Sequence, residues 1–157
     1  MWSYLPAWRR VVLAGAVVLV LAACGAAAGP PAVSVTDARI PQPAGPNGAA
    51  YMTLANEGDA DDRLVAVETD ASDGVEIHES TLDDGVMSMR HVDGIDLPAG
   101  GRVRLEPGGL HLMLLDVDPD LAAGDTVALT LTFDRVGRQT VRARVVPLVD
   151  GATGAEH

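Results

Sequence analysis

The chain has 157 residues, enough for one domain, and its 22 acidic side chains outnumber 11 basic ones for a formal net charge of −11. That balance argues against nucleic acid, which needs clustered cations to displace counterions, and neither G-x-x-x-x-G-K-[ST] nor G-x-G-x-x-G is present to hold a phosphate. One Phe, two Tyr and two Trp, both Trp within the first eight residues, leave the core to Val, Leu, Ile, Ala and Met.

The chain begins like an export signal. Arg9 and Arg10 supply a positive flank, and residues 11–23 form an apolar run. The run is too short for a membrane span, which needs about 20 residues, and suits a signal-peptide core. It ends in Leu21-Ala22-Ala23-Cys24, an order similar to a bacterial lipobox. The expectation is a signal peptide over 1–23, lipidation of Cys24 and a bacterial lipoprotein anchored outside the cytoplasm. Cys24 is the only cysteine, so no internal disulfide can form. Residues 24–32 then read as the lipidated Cys and a small-residue, Pro-terminated tether.

From residue 33 the sequence breaks into short runs at Asn47-Gly48, Glu57-Gly58, Asp73-Gly74, Asp84-Gly85, Asp93-Gly94, Pro107-Gly108-Gly109 and Gly124-Asp125. This is the rhythm of an all-β sandwich or barrel. Within the runs apolar residues alternate: Val127, Leu129, Leu131 and Phe133 against Ala128, Thr130 and Thr132, and Val141, Ala143 and Val145 against Arg142 and Arg144. Strands are expected near 33–39, 49–55, 63–69, 74–80, 86–92, 101–106, 110–117, 126–134 and 139–147. At most one helical turn is expected within 118–125, and 148–157 reads as a loose tail.

In "GGLHLMLLD" the strand period of two puts His111 and Met113 on one face and Leu110, Leu112 and Leu114 on the other. Taken alone, that pattern fits a rim histidine beside a packing methionine. Two further runs carry the same residue types: "VEIHES" holds His78, and "GVMSMRHV" holds Met87, Met89 and His91.

His78-x10-Met89-x21-His111-x-Met113 resembles the metal-binding signature of the PCuAC family, extracytoplasmic copper chaperones. "AAYMTLANEG", "VEIHES", "GVMSMRHVDGIDLPAGGRVRLEPGGLHLMLL" and "AGDTVALTLTF" resemble the family in the same order, over about residues 33–147. The resemblance implies an all-β, cupredoxin-like β-sandwich of Greek-key type with about 8–9 short strands over 33–147. It implies His78, Met89, His111 and Met113 as ligands of one Cu(I) per chain. It also implies delivery of copper to the copper-containing subunit of cytochrome c oxidase, directly or through a thiol-containing assembly protein.

The donor chemistry agrees. Thioethers are soft ligands that suit Cu(I) and not Zn²⁺, Mg²⁺ or Ca²⁺, and a blue-copper centre would need a cysteine thiolate that the domain lacks. Some versions of the signature place Met after the first His; here that position is Glu79, which strand alternation turns away from His78. Met87 and His91 share the face of Met89 and read as packing beside the site. Glu76 shares the face of His78, and orienting that ring as an acceptor is an alternative reading for it and not the expected one. Met52 reads as core. No G-x-S-x-G nucleophile motif occurs, and an enzyme is not expected. The remaining alternatives are an envelope copper buffer, uptake or tolerance protein using the same site, or a metal-free β-sandwich interaction module. A monomer is expected, and the acidic balance predicts a basic partner with a salt-sensitive encounter rate.

Overall fold

In a computed structural model of the chain, residues 29–148 are described, and all their regular structure is β. The expected signal segment 1–23, Cys24 and the expected tail beyond Leu148 lie outside the described residues. Ten strands follow in order: β1 Val33–Pro41, β2 Gly48–Asn56, β3 Asp62–Glu68, β4 Ser72–Asp83, β5 Val86–His91, β6 Ile95–Leu97, β7 Arg102–Leu105, β8 Leu110–Val117, β9 Thr126–Phe133 and β10 Gly137–Val146. The nine expected strands are present. The addition is β6, three residues between Gly94 and Pro98, too short to show a period. Residues 118–125 carry turns, not a helical turn, closed by Leu121 N–H donating to the Asp118 carbonyl at 3.1 Å.

The strands make one continuous sheet ordered β5-β4-β8-β2-β1-β10-β9-β3-β6, with β7 also paired to β2. Strand β2 is the pivot. Its Gly48–Ala50 stretch pairs with β8, while Met52–Ala55 pairs with β7. The sheet thereby folds around one core, in which Ile77, Leu112 and Leu114 of the β4–β8 arm join Leu129, Leu131 and Phe133 of the β9 arm. All pairings are antiparallel except β1 with β10. Met52 is buried in the core, as expected.

Two buried polar side chains tie the loops to this core. Asn56 satisfies all four of its hydrogen-bonding sites: its oxygen accepts from Ala32 and Gly58 N–H, and its amide donates to the Ala60 and Leu97 carbonyls. The Asp62 carboxylate accepts backbone N–H groups of Arg63, Arg135 and Val136. Burial pushes its carboxyl up, but those three bonds and the Arg135 charge together hold it below the usual range of 3.8.

Candidate metal centre

The β4-β5-β8 arm has one face in the core and one outside. On β8 the inward residues are Leu112 and Leu114, while His111 and Met113 stand on the outer face. Cross-strand register assembles the rest. His78 of β4 lies opposite both His111 of β8 and His91 of β5; Glu76 lies opposite Met113; Ser80 lies opposite Met89. The four signature residues therefore share one outer face, on three adjacent strands. The His78 ring stands edge-on to both neighbours, 5.9 Å between centroids in each case.

Local sequence explains the placement. Asp84 and Gly85 close the β4–β5 hairpin with φ of 50° and 81°, the two positive values that a two-residue type I′ turn requires. That tight turn fixes which β5 side chains oppose β4. At the other edge, the Pro107-Gly108-Gly109 turn presents the Gly109 carbonyl to two donors, Ser80 N–H at 3.0 Å and His111 Nδ1 at 3.0 Å. The donating Nδ1 leaves His111 Nε2 with the free lone pair.

His78 is held the other way round. Its Nε2 donates to the Glu76 carboxylate at 2.8 Å, and its Nδ1 is the only buried side-chain nitrogen or oxygen among the described residues without a hydrogen-bond partner. Glu76 thus does orient the ring, a role its shared strand face had offered. Glu79 points away and pairs with Arg90 on the far face. A ring whose one nitrogen is tied to a carboxylate and whose other is buried and bare is arranged to give that second lone pair to a cation.

Met89, His111 and Met113 line a common cavity of about 820 Å³ with Tyr51, Ser80 and Met87. His78 is not in its lining and joins the set from the side, through His111. His111 is 5% exposed; Met87 and Met89 are 65% and 49% exposed on the edge strand. The site is therefore half built into the sheet and half presented to solvent. His78, Met89 and Met113 lie within strands, and His111 is the second residue of β8, beside the Pro107-Gly108-Gly109 turn. Tyr51 stands 6.5 Å from the His111 ring, with the Arg39 guanidinium 5.5 Å over its own ring. Burial raises the Tyr51 hydroxyl above its usual range, partly offset by the Arg39 charge. No group of three or more His, Cys, Asp or Glu among the described residues is arranged to hold a metal. The two thioethers beside the imidazoles on this face would suit a soft monovalent ion better than a hard divalent one.

Residues 33–145 match the family described as "Putative lipoprotein LpqE-like". The chain belongs to the LpqE-like family. "Uncharacterized protein RP573" of Rickettsia prowazekii (strain Madrid E) is 38% identical over 100 residues, covering 63% of this chain and 55% of the relative. The LpqE-like chain spans about half the length of the curated relatives it matches. Among solved structures, the copper-bound PCuAC domain from PmoF2 superposes with a TM-score of 0.63 at 26% identity, covering 73% of this chain and 92% of that one. The Cu(I) form of DR1885 from Deinococcus radiodurans gives 0.59 at 31% identity, covering 78% and 83%. The LpqE-like protein thus has the all-β, cupredoxin-like fold of PCuAC domains.

Proposed function

We propose that this LpqE-like protein is a Cu(I) carrier of the cell envelope, held at the membrane by lipid on Cys24, with one copper bound by His78, Met89, His111 and Met113. The observation that carries this reading is the bare, buried Nδ1 of His78 on the same sheet face as two methionines and a second oriented imidazole. An unpaired buried nitrogen costs about 1–3 kcal/mol, and a cation would relieve that cost. The solved relatives, one bound to copper and one to Cu(I), support the choice of ion. The lipoprotein in the family's name supports the location.

Two neutral thioethers and two neutral imidazoles leave a Cu(I) site at net +1 and resist the change to Cu(II), which suits carrying copper and not cycling electrons. Delivery to the copper-containing subunit of cytochrome c oxidase, directly or through a thiol-containing assembly partner, is the role that fits such a monomeric carrier. A strain lacking the gene is expected to assemble less active oxidase when copper is scarce and to recover when copper is added. Normal oxidase at limiting copper, with heightened sensitivity to excess copper, would identify a buffer and overturn delivery.

A further inference from the structure

Beside the metal face lies a second cavity, of about 730 Å³, that the copper reading does not use. Arg39 of β1, Arg104 of β7, and Arg142 and Arg144 of β10 all line it, against two carboxylates, Asp37 and Glu106. In a chain with twice as many acidic as basic side chains, a local excess of positive charge runs against the composition. None of these four arginines makes an ion pair with a carboxylate among the described residues, whereas Arg63, Arg90 and Arg138 each do. Arg39 and Arg144 stand directly opposite one another across the β1–β10 ladder. Like charges in that relation destabilise a sheet. A bulge in β1 between Thr36 and Arg39, with Asp37 at φ 56°, sets the direction of Arg39.

The two cavities are neighbours. Arg39 and Val146 line both. Between them runs one cross-strand row on the outer face: Arg144 opposite Arg39, Arg39 opposite Tyr51, Tyr51 beside His111, and His111 opposite His78.

We infer that the arginine cavity is a docking site for an acidic segment of the protein that exchanges copper with this one. Carboxylates of that segment would pair with Arg104, Arg142 and Arg144, and chain continuing past Arg39 would reach Met89, His111 and Met113. Cu(I) would then pass as the ion, by ligand exchange and with no electron transferred. A protein segment fits better than an anionic bilayer for two reasons. The site is a hollow, and Asp37 and Glu106 within it repel a continuous sheet of anions while leaving room for spaced carboxylates. Net acidity of the whole chain had predicted a basic partner; the charge beside the site predicts an acidic one there. Binding of the acidic segment stands on the arginines alone, and its coupling to copper rests on the function proposed above.

The test uses the full-length protein in neutral detergent and a fluorescein-labelled hexaglutamate peptide, followed by anisotropy. Saturable binding that weakens with added salt is expected. Arg142→Glu with Arg144→Glu should weaken it at least about tenfold and leave Cu(I) affinity, read by chelator competition, unchanged. Arg104→Glu, on a different strand, gives the same reading if the double variant fails to fold. Hexaglutamate binding that these changes do not weaken would overturn the docking site. So would binding of inorganic phosphate or phosphatidylglycerol vesicles without binding of hexaglutamate. For the coupling, a Met-Gly-Gly-Met receiver peptide joined to hexaglutamate should take Cu(I) from the loaded protein faster than the bare receiver, and the arginine variants should abolish the difference. Equal transfer rates in the unaltered protein would overturn the coupling. Hexaglutamate binding with no Cu(I) loading at all would instead overturn the copper reading and leave the docking site standing.

Discussion

Asn56 is fully buried and His78, half-buried on the outer face, has one buried ring nitrogen, and the fold treats these two polar side chains in opposite ways. Asn56 is 1% exposed, and each of its four hydrogen-bonding sites has a backbone partner. Asp62, nearby in sequence, is closed in the same manner by three backbone N–H groups. His78 has one nitrogen fixed by Glu76 and the other left without any partner. Buried polar groups that serve structure are satisfied within the structure; a buried lone pair left bare calls for another explanation, such as an ion. The contrast separates the end of the molecule that holds the fold from the face proposed to hold copper.

Exchanging the two treatments should separate stability from metal affinity. The largest effect is expected on the metal side: His78→Ala with Met113→Ala should lower Cu(I) affinity more than about a hundredfold, read by competition with a Cu(I) chelator. Unchanged affinity would remove both residues from the site. On the structural side, Asn56→Ala strands the N–H groups of Ala32 and Gly58 and two carbonyls, and should lower unfolding free energy by about 2–4 kcal/mol in urea titrations. Metal affinity of the folded fraction should stay as it was. Glu76→Gln weakens the hold on the His78 ring and should reduce Cu(I) affinity about tenfold; an effect on stability with none on affinity would make Glu76 a surface residue only.

Asp62 adds a pH dependence. Its folded carboxyl lies below the ordinary 3.8, so its contribution to stability is complete above that value and is lost as pH falls through the lower, folded one. Stability of Asp62→Asn should therefore fall less steeply than that of the unaltered protein on acidification below pH 3.8; parallel curves would mean that the carboxylate is not held as described. The smallest effect sharpens the contrast most. His78→Leu removes the bare nitrogen along with the ring and should change stability by no more than about 1 kcal/mol, where Asn56→Ala costs several times that.

Much of this was legible in the sequence. Alternation in "LHLML" put His111 and Met113 on one face, and Asp84-Gly85 marked the hairpin that carries Met89. The position of Glu76 two residues before His78 allowed the hydrogen bond that the structure contains. What the sequence could not supply was register. Nothing in "VEIHES" tells which residue of β8 it will oppose, because register is set by long-range packing of Ile77 against Leu112 and Leu114 and by the turns at both ends. For the same reason the row of His91, His78 and His111 was not foreseen, nor the convergence of Arg39, Arg104, Arg142 and Arg144. Those four lie on three strands far apart in the chain, and the β1–β10, β1–β2 and β2–β7 pairings together bring them to one cavity. Strand β6 escaped because three residues display no period.

X-ray absorption at the copper edge of the Cu(I)-loaded, full-length protein tests the central claim most directly. The account predicts one Cu(I) per chain with two nitrogen and two sulfur neighbours, the sulfur signal diminished in Met113→Ala and the nitrogen signal in His78→Ala. A first shell of nitrogen and oxygen alone, or one that is unchanged when His78 and Met113 are removed, would contradict it.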